Sequence, residues 1–140
     1  MKRLAAVWVT MLVGVVLGGC ATTMDLESSR WRLTELDGAP VISTPDERAA
    51  HIVFERSPTP RVSGSTGCNR FVGSYESGRS RLAFGAIAST RMACPDAMAQ
   101  ERAFEQALQD VRRWRAEDGE LELLDEQGAV RLRFEAMQPE

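Results

Sequence analysis

The stretch that decides the fold runs from Asp96 to Phe134 and reads DAMAQERAFEQALQDVRRWRAEDGELELLDEQGAVRLRF. In its first half, apolar residues recur at intervals of three and four, the spacing of an α-helix with one buried stripe. These residues are Phe104, Ala107, Leu108 and Val111. We therefore predict one helix over residues 96–115, with the Asp96 carboxylate as its N-terminal cap.

Three arginines would lie in the last turn of this helix, where positive charge favours the helix dipole. They are Arg112, Arg113 and Arg115. We interpret them as a solvated turn, with an anion-binding site as the alternative.

The second half of the stretch changes to a period of two. Leu121 and Leu123 alternate with glutamates, and Leu132 and Phe134 alternate with arginines. Residues 125–128 supply a turn between the two runs. This pattern predicts a hairpin with one apolar face and, on the other, Glu120 and Glu122 opposite Arg131 and Arg133.

Earlier in the chain, short apolar or alternating runs separated by Gly and Pro predict further strands. They cover residues 31–36, 51–55, 61–63, 69–75, 82–84 and 87–92, with a turn at 37–38 and a loop over 39–49. Short strands with one late helix predict an α+β fold. We expect a single compact domain, mostly antiparallel curved β-sheet, with one main helix and a C-terminal β-hairpin.

Length and charge limit the function. The chain has 140 residues, with 17 basic and 20 acidic side chains. Such a chain forms one small domain, without a large cleft between two lobes. The acidic balance argues against nucleic acid as a partner.

The N-terminus indicates export. Lys2 and Arg3 precede an apolar run from Leu4 to Leu17, which is followed by Gly18, Gly19 and Cys20. Charge, a short apolar core and small residues occur in the order of a secretory signal, and Leu-Gly-Gly-Cys resembles a lipoprotein processing site. We predict a signal peptide over 1–19 and acylation of Cys20, where two or more acyl chains would give stable membrane anchoring. The alternatives are an ordinary signal peptide and an uncleaved anchor.

The residues after Cys20 bear on location. Ala21 and Thr22 take the place of the aspartate that Gram-negative sorting patterns associate with the inner membrane. We expect an outer-membrane lipoprotein whose domain faces the periplasm. Residues 20–28 are predicted to be the lipidated N-terminus and tether, and residues 29–136 the domain.

Two more cysteines, Cys68 and Cys94, lie in the domain. In an oxidising compartment two thiols most simply form one disulfide, with buried free thiols as the alternative. Their spacing is not C-x-x-C, so we expect no redox catalysis.

A family resemblance involves these cysteines. The motif consists of Gly64, Gly67, Cys68, Asn69, Arg70, Phe71, Gly73 and Tyr75, followed by Thr90, Arg91 and Cys94. It resembles the META domain, the HslJ-like family of heat-inducible bacterial lipoproteins, over roughly residues 28–135. The resemblance implies a compact antiparallel α+β fold, periplasmic exposure, a link to stress or antibiotic tolerance, and neither catalytic residues nor a cofactor.

The residue types of the motif favour a structural role over a ligand-contact surface, although both remain open. Gly64 and Gly67 permit a tight bend or close backbone approach. Asn69 can bond back to the backbone of that bend. Arg70 is expected to pair with an acidic group or to project outward.

Three other groups of residues suggest different functions. Met92, Cys94 and Met98 are soft ligands suited to Cu(I), although methionines at such positions are more often core filler. A hydrolase would have to use His51, the one histidine, without a recognisable nucleophile motif. Acidic residues near the predicted end of the helix lack EF-hand spacing and are interpreted as a solvated loop. They are Asp110, Glu117, Asp118 and Glu120.

Our leading hypothesis is a non-enzymatic lipoprotein that binds an envelope protein or ligand. We expect no cofactor and no metal.

Overall fold

The computed structural model describes residues 23–41 and 49–137. The predicted signal peptide and Cys20 lie outside the described residues. Where the chain is described, it forms one mostly antiparallel, curled sheet with one α-helix, which confirms the predicted fold class.

The elements follow one another along the chain with short connections. A 3₁₀ turn at Leu26–Ser28 precedes β1 Arg30–Leu36, β2 Ala39–Pro40, β3 His51–Glu55, β4 Arg61–Ser65, β5 Arg70–Ser77, β6 Leu82–Ser89, α1 Met98–Asp110, β7 Arg113–Glu117, β8 Glu120–Leu124 and β9 Val130–Met137. The strand order is β6-β5-β4-β3-β1-β9-β8-β7, and β2 pairs with β1.

The two outer strands of this order meet, so the sheet curls into a barrel. The Leu82 amide donates to the Arg112 carbonyl at 3.1 Å, and the Trp114 amide donates to the Ser80 carbonyl at 3.1 Å. Closure pairs backbone groups that an open sheet would leave exposed at its edges.

The apolar stripe of α1 packs into this barrel as predicted. Phe104, Ala107, Leu108 and Val111 are all buried, and the Phe104 ring lies 5.6 Å from the Phe71 ring of β5. Strand residues of alternating positions complete the core. They include Trp31, Ile52, Phe71, Leu82, Leu121, Leu123, Leu132 and Phe134.

The predicted helix is too long at both ends. It begins at Met98 after Ala97, without a side-chain cap from Asp96, and ends at Asp110 because Val111 is extended. Arg113 and Arg115 belong to β7, where Arg115 pairs with Glu122 of β8. The three arginines therefore form no helical turn, since pairing with β8 overrides local helical spacing.

The charged face of the predicted hairpin is confirmed only in part. Glu122 lies opposite Arg133, but Glu120 lies opposite Glu135. Arg131 pairs with Asp37 and Asp110 instead. Glu122 lies between two arginines, bonded to Arg115 on one side and to Arg133 at 3.0 Å on the other. Arg133 also contacts Glu120 at 2.6 Å and Glu35 at 3.1 Å. The partly exposed pairs are individually weak, but together they order this face of the sheet.

The four acidic residues interpreted as one loop do not come together. Asp110 pairs with Arg131 at 2.7 Å, next to the turn between β8 and β9. Glu117, Asp118 and Glu120 surround the turn between β7 and β8. Because α1 ends at Asp110, the strand β7 lies between Asp110 and the turn that holds the other three residues.

The predicted strands 82–84 and 87–92 are one strand, β6, which ends at Ser89, so residues 90–92 lie beyond it. Two residues, Gly85 and Ala86, lie opposite the single residue Ser74 of β5. Such a β-bulge interrupts the alternation of inward and outward side chains. The sequence pattern therefore divides at the bulge, although the strand does not.

The predicted tether is wrong for residues 23–28, because this segment packs on the domain. Leu26 is buried, and its carbonyl accepts a hydrogen bond from the Trp31 indole at 2.7 Å. The Met24 amide donates to the Ala116 carbonyl at 3.2 Å. A single leucine in a polar run has no period that sequence reasoning could recognise.

Glu27 fixes the other side of the same segment. Its carboxylate accepts a 2.6 Å hydrogen bond from the Tyr75 hydroxyl and pairs with Arg56 at 2.9 Å. Burial raises the pKa of Tyr75, and the bond to Glu27 raises it further. The N-terminal segment is therefore bonded to β5 and to the connection between β3 and β4.

Candidate functional site

The first half of the motif forms the turn between β4 and β5. The Thr66 amide donates to the Asn69 carbonyl at 2.8 Å, and the Asn69 amide donates to the Thr66 hydroxyl at 2.9 Å. Gly67 has a φ of 97°, a conformation that glycine adopts without strain. The turn therefore explains the requirement for Thr66, Gly67 and Asn69.

Asn69 connects this turn to the second half of the motif. The residue is 2% exposed, and its amide nitrogen donates to Glu101 of α1 at 2.6 Å and to the Met92 carbonyl at 3.3 Å. Its amide oxygen accepts from the Thr90 hydroxyl at 2.9 Å and from the Met92 amide at 2.7 Å. Because all four hydrogen-bonding positions of the side chain are occupied, Asn69 acts as a structural connector.

The disulfide holds the same two segments together. Cys68 and Cys94 are bonded, with 6.1 Å between their Cα atoms and a sequence separation of 26. It joins the start of β5 to the segment that enters α1. Together with Asn69, it fixes residues 90–94 against the turn.

Gly64 is required for close packing. A Cβ atom built at Gly64 would lie 2.1 Å from the His51 carbonyl oxygen and 2.8 Å from the Phe71 ring. The spacing from Gly64 to Phe71 in the motif thus has a steric cause here, because β3 and the ring occupy the space of a side chain.

Gly64→Ala should therefore destabilise the domain by about 2 kcal/mol or more, through overpacking. Urea unfolding measures the loss. Gly119→Ala is the control, since nothing lies within 4 Å of its Cβ position and its cost comes from its φ of +83° alone. Equal losses in the two variants would contradict a steric role for Gly64.

The motif arginines differ from the buried residues. Arg70 and Arg91 are exposed. Arg70 projects outward from β5, and within the described residues its side chain has no carboxylate partner. Of the two possibilities predicted for Arg70, the structure has the outward one.

The candidate soft-metal ligands do not form a thiolate site. The sulfur of Cys94 is bonded to Cys68. Met92 is 60% exposed and Met98 is 43% exposed, so their interpretation as core filler is wrong. Among the described residues, no three His, Cys, Asp or Glu side chains lie together as metal ligands.

His51 lies on the outer face of β3 and has no arrangement typical of hydrolases. One ring nitrogen, Nδ1, contacts the Ala49 carbonyl at 2.9 Å, and Nε2 contacts Arg30 at 2.9 Å. In the described part of the chain, no hydroxyl or thiol is hydrogen-bonded to the ring.

Sequence reasoning missed a cavity of about 340 Å³ beside the motif turn. Apolar side chains of Leu33, Val41 and Ala50 line one part of it, and Asp96 and Gln100 near the start of α1 line another. Arg32, bonded to Glu135, contributes charge. Its size lies within the range of small-molecule sites. It assembles residues from distant parts of the chain, so no local pattern indicates it.

The motif geometry and the barrel topology agree with the comparisons to known proteins. A model of the META domain family matches residues 24–138. The chain belongs to the META domain family. The match begins near the first packed residues and well before the predicted domain start at residue 29.

Solved structures show the same META domain fold. An NMR structure of a protein from Burkholderia xenovorans is 26% identical, with a TM-score of 0.64, and the alignment covers 81% of this chain and 85% of that one. A second NMR structure is also 26% identical, with a TM-score of 0.62, covering 79% and 91%.

A DUF4847 family protein from Bacteroides vulgatus, solved by crystallography, has a TM-score of 0.62 at 13% identity, covering 82% of this chain and 96% of that one. At this identity the likeness shows the fold alone. Among curated proteins, none has significant similarity to the chain. No helix in residues 23–41 or 49–137 has the length and apolar character needed to cross a bilayer.

Proposed function

We propose that this META-domain protein is an outer-membrane lipoprotein, acylated at Cys20, whose domain faces the periplasm. It acts by binding an envelope protein or ligand, without catalysis, and contributes to envelope stress or antibiotic tolerance.

The proposal rests mainly on the short distance along the chain between Cys20 and the first described contact of the domain. Thr23 already bridges to Glu117 of β7, three residues after Cys20. Three extended residues span at most about 11 Å. An acyl group on Cys20 would hold the domain directly at the membrane surface, near the turn between β7 and β8.

The motif side chains make structural contacts, which favours a binding function over a catalytic one. Asn69 and Thr66 are buried and bonded within the turn, and Cys68 is bonded to Cys94. These groups therefore stabilise the scaffold. The cavity beside the turn and the exposed sheet face remain available for a partner.

Acylation of Cys20 has a direct test. We expect labelled fatty acid to be incorporated into the protein in a Gram-negative host, and the processed protein to enter the detergent phase on phase separation. Cys20→Ser should abolish the label, because the thiol that forms the thioether to the lipid is lost. Cys94→Ala, which removes a different cysteine, should keep it. Labelling that persists in Cys20→Ser would refute the anchor.

A further inference from the structure

One row of the sheet carries several hydrogen-bond donors on its outer face. His51 of β3 pairs with Ser65 of β4, and Ser65 pairs with Arg70 of β5. Neighbouring strands lie about 4.8 Å apart, so the Cα atoms of His51 and Arg70 are separated by about 10 Å. Arg30 of β1 reaches into the same row, since its guanidinium lies 2.9 Å from His51 Nε2.

The side chains of this row point away from the core. The neighbours Ile52 and Phe71 are buried, so alternation directs His51 and Arg70 outward. Arg30 and Arg70 are exposed, and His51 and Ser65 are partly exposed. The row is therefore accessible to a ligand from solvent.

The contacts of His51 are satisfied by one tautomer. The Arg30 guanidinium nitrogen lies 2.9 Å from Nε2 and 3.3 Å from Nδ1. Because a guanidinium only donates, we assign the ring proton to Nδ1, which then donates to the Ala49 carbonyl. Burial lowers the pKa of His51, and the charges of Arg30 and Arg70 lower it further, in opposition to the bond with Ala49. Burial first, and the charges of Arg30 and Arg70 second, therefore favour the neutral ring.

The nearest carboxylates serve other residues or lie further along the strands. Glu135 is bonded to Arg32, and Glu55 lies four residues from His51 along β3. Ser65 accepts from the Gly67 amide at 3.1 Å, and within the described ranges its own hydroxyl proton has no acceptor. Two guanidinium groups, an imidazole and a hydroxyl therefore lie on the outer face of four adjacent strands.

We propose that Arg30, His51, Ser65 and Arg70 form a binding site for a phosphate group. Guanidinium groups match the geometry of phosphate oxygens and form charge-assisted hydrogen bonds with them. On binding, Arg30 turns from His51 Nε2 to the anion, and Nε2 takes up a proton and donates as well. The phosphate belongs either to a soluble compound or to a lipid headgroup.

The single histidine makes the site measurable. In the purified protein, kept in an uncharged detergent and labelled with ¹³C at histidine, His51 gives the one histidine NMR signal. We expect pyrophosphate to shift this signal and to raise the pKa of His51. Because the bound anion favours the protonated ring, affinity should increase as the pH falls from 7.5 to 5.5.

Two variants that each remove one arginine charge distinguish a defined phosphate site from general electrostatic attraction. Arg70→Gln should weaken pyrophosphate binding about tenfold, the effect of losing one charge-assisted hydrogen bond. Arg61→Gln removes the same charge from the same sheet face, four residues before Ser65, and should change affinity less than about twofold. Equal losses in both variants, or no shift of the His51 signal at 10 mM pyrophosphate, would overturn the proposal.

Vesicles identify the source of the phosphate. Binding to phosphatidylglycerol vesicles that depends on Arg70, compared with phosphatidylcholine vesicles, supports a lipid headgroup. A response to pyrophosphate without Arg70-dependent vesicle binding supports a soluble phosphate compound. Since the readout is the His51 signal and its dependence on Arg70, the test is independent of whether Cys20 is acylated.

Discussion

Asn69→Ala is expected to reduce the free energy of unfolding by about 3 kcal/mol, since four hydrogen bonds are lost together and the buried Glu101 carboxylate loses its partner. The amide also contacts Thr90 and both backbone groups of Met92. Urea unfolding of the domain, secreted behind a signal that is not acylated, measures the loss.

Two variants control for this prediction. Glu101→Gln keeps an oxygen that can accept from Asn69 Nδ2, so it should cost less than about 1.5 kcal/mol. Gln127→Ala, at an exposed turn, should remain within about 0.5 kcal/mol of the wild type. A loss below about 1 kcal/mol for Asn69→Ala would show that the network is not a source of stability.

Removal of the disulfide should reduce the free energy of unfolding by about as much as Asn69→Ala does. For a separation of 26 residues between Cys68 and Cys94, the chain-entropy model gives about 3.5 kcal/mol at 25 °C. The link restricts the unfolded chain, and its loss should lower the urea midpoint of the Cys68→Ala, Cys94→Ala double variant.

The single variants provide a sharp check on this interpretation. Either substitution breaks the same bond, so Cys68→Ala, Cys94→Ala and the double variant should lose similar amounts of stability. Losses that add would indicate two independent packing effects instead of one link. In the denatured, unreduced wild-type domain, we expect Cys68 and Cys94 to be unreactive toward thiol reagents; two reactive thiols would contradict the bond.

The errors in the predicted elements have a common physical cause. The sequence predicts a helix to residue 115 because Val111 continues the apolar stripe, whereas β7 forms only when β8 is present to pair with it. It predicts two strands in place of β6 because the bulge at Gly85 and Ala86 breaks the alternation. The N-terminal segment is bonded through Leu26 to Trp31 and through Met24 to Ala116, which lies far along the chain.

The motif residues of the candidate site also make some contacts that are local in sequence and others that depend on tertiary packing. Local residue types indicate a bend at Gly67, which is confirmed by its φ of 97°. Gly64 lies within β4, where it permits the close approach of β3 instead of a bend. The Asn69 side chain bonds to Thr90, Met92 and Glu101 and not to the backbone of the bend, so that part of the prediction is wrong. The partner Glu101 could not be predicted, because it is reached only when α1 packs across the barrel. The cavity and the phosphate site likewise combine side chains from separate strands.

The sequence by itself determined the fold class, the apolar face of α1, the hairpin of β8 and β9 and the family, because periodicity and motif spacing are local properties. The tertiary structure decided where α1 ends, how the sheet closes and which exposed cations lie together. Those features depend on pairing between distant strands, whose free energy appears only when the whole barrel is formed.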